Sequence, residues 1–399
     1  MPMAGAGQAA GTGSSPSPRP LRVALVAGES SGDLLGSGLI TALSALRPGS
    51  TFEGIGGPLM EAAGCTIHWP AERLAAFGLA DVLAHLPDGL RIRRAMARRL
   101  LADPPDVFVG IDAPAFNLGL ETRLRRAGIP TVHYVSPTVW AWRRYRLRTL
   151  RRGADLLLTL FPFEAEFCNA HGMPATFVGH PLAEAIPPEV DRDAARDELG
   201  LAGSGPVVAL LPGSRGGEIR HLAAPFLAAA AWLAERRPGI RFVLPAATRK
   251  LRALLEQFAT AYPELDLHLL DGQARTVISA ADVLLSASGT ATLEGLLHRR
   301  PMVVAYKVAP LTYYAMRPFY RLANFALPNL LCGETVVPEF LQHAVQPERL
   351  GAELLALLEE PAHAAAQVAH FTAVHDRLRQ GADRMAATAV AALADRRRD

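Results

Sequence analysis

Short runs of apolar residues recur along the chain, and each ends in a turn of small or polar residues. In the amino-terminal half they lie at 21–27, 106–111, 131–135, 155–160 and 175–178. In the carboxyl-terminal half they lie at 207–211, 240–244, 265–270, 282–285 and 302–306. Runs this short, apolar throughout rather than alternating, predict strands buried on both faces. Segments at helical spacing separate them, among them 34–46 and a stretch from 218 to about 237. Strands alternating with helices predict parallel sheets covered on both sides. The polar stretch 187–206 reads as a linker with a short helix, dividing the chain into two series of the same grammar. Beyond Pro310 the chain reads as mostly helical, interrupted at Leu327-Pro328-Asn329-Leu330-Leu331. The predicted fold is therefore α/β, with two Rossmann-like parallel-sheet domains facing a cleft. Their spans are 21–186 and 187–375, preceded by a tail at 1–20. A last helix, 376–399, is one that can return to the first domain. Ligands of such sheets sit at the carboxyl ends of the strands.

Two of those ends suit a phosphate. After the run 282–285 the sequence turns through Ser286-Ala287-Ser288-Gly289-Thr290 and then enters a helical stretch. Gly289 has no side chain to block an approaching anion, and the first N–H groups of a helix are unpaired at the positive end of its dipole. Ser288 or Thr290 can cap that helix or donate a hydroxyl to a phosphate oxygen. Glu294 lies one turn on, over Thr290, where its carboxylate can accept from the hydroxyls of a ribose. Taken alone, the stretch reads better as an ordinary capped helix with a surface Glu. After 207–211 comes Pro212-Gly213-Ser214-Arg215-Gly216-Gly217-Glu218. Arg215, beside Ser214, is either an exposed loop arginine or a partner for a diphosphate, whose oxygens its planar fork fits. Two such turns in one half of the chain favour the ligand. Neither a Walker A loop nor a G-x-G-x-x-G fingerprint is present; the glycines at 28–32 and at 54–57 have the wrong spacing.

Asp112 ends an apolar run and is either a general base or the N-cap of the helix that follows. Glu29 is a base, a substrate contact or a first-turn acid. His133 and His180 are proton carriers or satisfied histidines at strand ends. Asp191-Arg192-Asp193 matches an Asp-x-Asp metal motif in letters only, since no apolar strand precedes it. No metal site is expected. In 77–101, Leu79, Val82, Leu83, Leu86 and Leu90 fall at helical spacing, with a break expected at Pro87-Asp88-Gly89. Arg91, Arg93, Arg94, Arg98 and Arg99 follow. An apolar face beside an arginine cluster suits a segment lying on an anionic membrane; an amphipathic helix packed on the sheet gives the same pattern.

Composition narrows this further. With 399 residues the chain suits two domains, and half apolar to one-fifth charged residues give a globular balance. A net charge of +3 is too small to argue for nucleic acid. Cys65, Cys168 and Cys332 have neither metal spacing nor a disulfide framework, so a reducing cytoplasm is expected. Residues 1–20 lack the apolar core of a signal peptide and read as a disordered tail. No run is long and apolar enough to span a bilayer.

Together these turns resemble lipid-A-disaccharide synthase, a family of inverting GT-B glycosyltransferases (glycosyltransferase family 19). The motifs that carry the resemblance begin with Val26-Ala27-Gly28-Glu29-Ser30-Ser31-Gly32-Asp33, Gly110-Ile111-Asp112-Ala113-Pro114 and His133-Tyr134-Val135-Ser136-Pro137 with Val139-Trp140-Ala141-Trp142-Arg143. They continue with Phe177-Val178-Gly179-His180-Pro181, Leu211-Pro212-Gly213-Ser214-Arg215 with Glu218-Ile219, Ser288-Gly289-Thr290 with Glu294, and Leu327-Pro328-Asn329-Leu330-Leu331. Ser-Gly-Thr with its Glu is shared by many GT-B enzymes, whereas the His-Tyr-Val-Ser-Pro and Trp-Ala-Trp pair is specific. Ala115 departs from the pattern, which has a second Asp there.

The resemblance implies that UDP-2,3-diacylglucosamine donates its sugar to the 6-hydroxyl of 2,3-diacylglucosamine 1-phosphate, giving a β(1→6) disaccharide and UDP. It implies Asp112 as base, with Glu29 second or as an acceptor ligand. It further implies Arg215 and the Ser288–Thr290 helix start on the diphosphate, Glu294 on the ribose, and Asn329 on the nucleotide or phosphates. No cofactor and no metal are implied. The expected location is the cytoplasmic face of the inner membrane, peripheral and anionic, reached through 77–101, and a homodimer is left open. Another GT-B UDP-N-acetylglucosamine enzyme, a transferase or 2-epimerase, is a rival reading; so is a non-catalytic nucleotide-sugar-binding protein.

Overall fold

The computed structural model describes residues 19–75, 82–137, 145–201, 203, 205–310, 313–314 and 324–396. Leu79 and the Trp140-Ala141-Trp142 run lie outside them, as do the side chains of Val82, Leu83 and Leu86. A seven-stranded sheet uses β1 (Arg22–Ala27), β2 (Thr51–Gly56), β3 (Cys65–Pro70), β4 (Val107–Ile111), β5 (Thr131–Tyr134), β6 (Leu156–Thr159) and β7 (Ala175–Phe177). Their order is β3-β2-β1-β4-β5-β6-β7. A six-stranded sheet uses β8 (Val207–Leu211), β9 (Arg241–Ala246), β10 (Leu267–Asp271), β11 (Val283–Ala287), β12 (Met302–Tyr306) and β13 (Glu339–Leu341), ordered β10-β9-β8-β11-β12-β13 with every pair parallel. By packing, the chain forms two compact units, Met1–Val132 with Ala386–Asp399, and His133–Met385.

The apolar runs form strands because both their faces find cover. All five residues of β4, β8 and β11 are buried. Helix Gly216–Arg236 closes over the second sheet with Ile219, Leu222, Ala223, Phe226, Leu227, Ala230 and Leu233, a single stripe at helical spacing. Each buried Leu or Phe of such a stripe contributes about 1.5–3 kcal/mol. Register then sets which turns share a rim. Ser286 of β11 lies opposite Leu211 of β8, so the turns after those strands leave the sheet side by side. In the first unit Ala27 of β1 lies opposite Ile111 of β4, which brings out Gly28 and Asp112 together.

The pattern of apolar runs misses β2, β3 and β13. β2 reads Thr-Phe-Glu-Gly-Ile-Gly, and its glycines look like a turn. Gly54 in fact lies where a Cβ would collide with the carbonyl of Leu25, so the strand needs glycine to approach β1. β3 and β13 are edge strands, with only part of their length buried. Two further expectations change. Leu327-Pro328-Asn329-Leu330-Leu331 is not an interruption but the body of a helix, Leu327–Cys332, with Pro328 in its first turn, where no N–H is needed. The break at Pro87 does not occur either: helix Val82–Ala102 runs through it. Pro87 stands in the second turn, so it removes a single intrahelical bond. Asp88 is then held by Arg73 at 2.6 Å and Arg91 at 2.7 Å.

That helix buries Ile92, Met96, Ala97 and Leu100 against the first sheet, while Arg91 and Arg94 are exposed and Leu90 is half-buried. Arg93 does not belong to the free basic face. Its guanidinium packs over Gly119, where a Cβ would fall 2.7 Å from Nη1, and donates to the carbonyl of Ala115 at 3.4 Å.

Candidate functional site

A cavity of about 320 Å³ opens at the carboxyl ends of β8, β9, β10 and β11. It brings together Ser214, Arg215, Ser288, Gly289, Thr290 and Glu294. The sequence reading missed its other walls. Pro245, Ala247, Gly272, Ala274 and Ile278 form an apolar side, and Glu218 stands at the phosphate-competent turn. A pocket this size, mostly apolar with a few polar groups gathered at one end, suits a nucleotide.

The turn after β8 is built on Gly213, at φ 119°. Glu218 reaches back from the first turn of helix Gly216–Arg236, and its Oε2 accepts from the main-chain N–H groups of Ser214 at 3.0 Å and Arg215 at 3.3 Å. A capping carboxylate thus fixes the loop while Arg215 stands out of it. The Arg215 side chain is 82% exposed and meets Glu218 Oε1 at 3.2 Å. An ion pair so exposed is worth little, so the guanidinium can turn to a better anion.

The turn after β11 differs from expectation in its cap. Neither Ser288 nor Thr290 caps helix Thr290–Leu297; the N-cap is Gly289, with no side-chain bond. Ser288 Oγ instead donates to the carbonyl of Phe325 at 3.3 Å. Thr290 is exposed at the cavity. Glu294 is mostly buried, and that burial pushes its pKa up, while Arg275, with Nε 3.5 Å from Oε2, pulls it back down.

Asn329 is not brought to this cavity. It is fully buried, and its amide is used inside the protein. Oδ1 accepts from the N–H groups of Val336 at 2.7 Å and Val337 at 2.8 Å, and Nδ2 donates to Val337 O at 2.9 Å and Glu339 Oε1 at 2.6 Å. The side chain splints the segment leading into β13 and is not among the residues that line the cavity.

In the first unit the turn after β4 is strained. Asp112 and Ala113 stand at φ 48° and 42°, uncommon for residues with a Cβ. Buried Asn117 holds them there, donating from Nδ2 to the carbonyls of Asp112 at 2.8 Å and of Val26 and Ile111 at 3.3 Å. Such strain costs of order 1–3 kcal/mol per residue and gathers at functional sites. The competing role for Asp112 fails, because the N-cap of helix Pro114–Arg126 is Ala113. Asp112 is half-buried. Gly28 faces this turn so closely that a Cβ would fall 2.7 Å from that of Ala113. Glu29 is exposed at the N-cap of helix Ser30–Leu46 and makes no side-chain cap bond. Its neighbour Asp33, which the sequence reading passed over, is buried and accepts from the N–H groups of Gly57, Leu59 and Met60 at 2.8–3.0 Å.

His180 proves to be a satisfied histidine. Its Nδ1 accepts from the Leu182 N–H at 3.1 Å, its ring stacks on Phe161, and burial takes its pKa down to about 4. His133 is fully buried in β5. Asp191 caps helix Arg192–Glu198 by accepting from Ala194 N–H at 2.9 Å. Among the described residues no three His, Cys, Asp or Glu side chains converge as metal ligands. No helix among them is long and apolar enough to cross a membrane.

The model of the lipid-A-disaccharide synthetase family matches residues 23–393. A lipid-A-disaccharide synthase of Pseudomonas aeruginosa is 53% identical over 377 residues, 94% of this chain and 99% of that protein. One from Pseudomonas syringae pv. tomato is also 53% identical, covering 94% and 97%. Among solved structures, the UDP-GlcNAc 2-epimerase of Neisseria meningitidis bound to UDP-GlcNAc superposes with a TM-score of 0.58 at 12% identity, over 87% of this chain and 94% of that one. A calicheamicin glycosyltransferase superposes with a TM-score of 0.58 at 16% identity, over 95% and 99%. At such identities the likeness is one of fold, and that fold is GT-B.

Proposed function

The chain belongs to the lipid-A-disaccharide synthetase family and is a glycosyltransferase, and from that premise we propose how its residues divide the work. UDP-2,3-diacylglucosamine is the donor and 2,3-diacylglucosamine 1-phosphate the acceptor. The acceptor 6-hydroxyl attacks the anomeric carbon from the face opposite UDP. The new C–O bond forms as the bond to the diphosphate breaks, so the configuration inverts to β(1→6). Asp112 takes the hydroxyl proton, and Glu29 binds the acceptor or shares that role. The charge growing on the UDP β-phosphate is met by Arg215, Ser214 and the N–H groups at Gly289 and Thr290, while Glu294 accepts from the ribose. Preorganised donors of this kind typically account for about 10²–10³-fold in rate each.

One observation carries this reading. Two phosphate-competent turns leave adjacent strands β8 and β11 into one cavity that also holds a mostly buried carboxylate. Residues 21–186 serve the acceptor and 187–375 the UDP-sugar. Acylated substrates reside in a membrane, and the exposed Arg91 and Arg94 support docking of 77–101 on the anionic cytoplasmic face of the inner membrane. Mass spectrometry of the products from UDP-diacylglucosamine and its monosaccharide phosphate tests the reaction. A disaccharide 1-phosphate with UDP is expected; turnover only of non-acylated UDP-N-acetylglucosamine, or UDP binding without turnover, would refute it. Binding to anionic but not neutral vesicles, weakened by salt, tests the docking.

A further inference from the structure

Glu294 is an awkward choice for a hydroxyl acceptor. It accepts most strongly as a carboxylate, yet it is largely buried, and burial favours the protonated acid. Among the described residues, the charged groups around it are few. Arg215 and Glu218 line the same cavity from the turn after β8, where Arg215 meets Glu218 rather than Glu294 and is free to turn to the diphosphate. His298, on the same helix, is buried, and its Nδ1 is spent on the Glu294 carbonyl at 2.7 Å. Arg275 remains, presented by helix Ala274–Ala280 at the carboxyl end of β10. Its Nε is 3.5 Å from Glu294 Oε2.

The fold takes trouble over that placement. The residue before the helix, Gln273, is held at φ 55°, a left-handed conformation uncommon outside glycine. This turn starts the helix sharply enough that Ala274 and Ile278 line the cavity. Arg275 itself is not part of the lining, and its side chain is 55% exposed.

We propose that Arg275 is a positioning residue for the nucleotide, acting through Glu294: its guanidinium, set beside Oε2, keeps that carboxylate ionised so that it can accept from the ribose hydroxyls. This rests on the assignment of Glu294 to the ribose and adds the group that makes the assignment workable near neutral pH. The sign is fixed. Ionised Glu294 accepts from both ribose hydroxyls more strongly than the protonated acid does, so binding weakens as pH falls through its pKa. Without Arg275 burial acts unopposed, the pKa rises, and binding weakens at a higher pH.

The test is titration of the full-length protein with UDP between pH 5.5 and 8.5, for the wild type and for Arg275→Ala, Arg275→Lys, Glu294→Gln and the double variant Arg275→Ala/Glu294→Gln. Melting temperature confirms that each is folded. Arg275→Ala should bind UDP nearly as the wild type does at the alkaline end and progressively worse toward acid, its loss setting in at a higher pH than the wild type's. Arg275→Lys should restore much of the acid-side affinity. In the Glu294→Gln background Arg275→Ala should add nothing. A pH-independent loss in Arg275→Ala, or a full extra loss in the double variant, would overturn the proposal, because Arg275 would then touch the nucleotide directly or serve only the fold. So would wild-type behaviour of Arg275→Ala where Glu294→Gln binds poorly. Unchanged UDP binding by Glu294→Gln would instead overturn the ribose assignment beneath it.

Discussion

The carboxylate of Glu218 occupies the space that a side chain on Gly213 would need. A Cβ at Gly213 would meet that carboxylate and lie 2.5 Å from Glu218 Cβ, and Gly213 also stands at φ 119°. The two residues define the turn together, one by bonding the N–H groups of Ser214 and Arg215, the other by having nothing in the way. Gly213→Ala is expected to destabilise the fold by about 1–3 kcal/mol and to weaken UDP binding more than tenfold, read by chemical denaturation and calorimetric titration. Unaltered UDP affinity would show that this turn is not the phosphate seat.

Asn329→Ala tests the opposite kind of residue. Removing this amide leaves the N–H groups of Val336 and Val337 without their acceptor and takes one donor from Glu339, which keeps those of Phe325 and Ala326. A loss of about 3 kcal/mol or more is expected, with near-normal UDP affinity in whatever fraction stays folded. A stable variant that no longer binds UDP would return Asn329 to the nucleotide site.

Asp112→Asn removes the basic oxygen and leaves the shape. Turnover should fall by about 10²-fold or more, with the melting temperature little changed, since the strained turn is held by Asn117 through main-chain carbonyls rather than through the Asp112 carboxylate. A stopped-flow or product assay at near-wild-type rate would remove Asp112 from the proton transfer.

His180 gives the fold an acid limit. Burial lowers its pKa in the folded state to about 4, against about 6.5 when unfolded. Between those values the unfolded chain binds a proton that the folded one refuses, so stability declines as pH falls from about 6.5 to 4, by roughly 3 kcal/mol at most. His180→Asn keeps an acceptor for the Leu182 N–H and cannot titrate. Thermal melts from pH 7 to 4.5 should therefore show a shallower decline for the variant; equal slopes would assign the acid sensitivity to other groups.

Much of the frame was legible because β4, β8 and β11 are apolar on both faces, and such runs have few alternatives. The two phosphate-competent turns were legible for a related reason: glycine and small hydroxyl residues directly after a buried strand leave the main chain open. What escaped notice depends on partners distant in sequence. β2 hides in glycines that only β1 explains, and Asp33 looks like a helix acid until the N–H groups of Gly57, Leu59 and Met60 arrive beside it. Asn329 has the letters of a polar contact, but its partners at 336–339 form a closed set. Arg275 sits on a short helix with no apolar stripe long enough to read, and only the packing of β9 and β10 against β8 brings it to Glu294.

The helix Ala382–Arg396 has a consequence for how the protein comes into being. Residues 386–399 belong to the same compact unit as Met1–Val132. Ala386, Ala387, Val390, Ala391 and Ala394 are buried, and Arg47 meets Asp395 at 2.5 Å. Ribosomes deliver a chain from its amino end, about 5–20 residues each second. The first strands made must therefore wait, partly uncovered, through the synthesis of everything between before their last helix emerges. A chain ending at Met385 freezes that interval. Limited proteolysis should cut it within the first unit faster than it cuts the full chain; equal resistance would mean that the unit closes without its final helix.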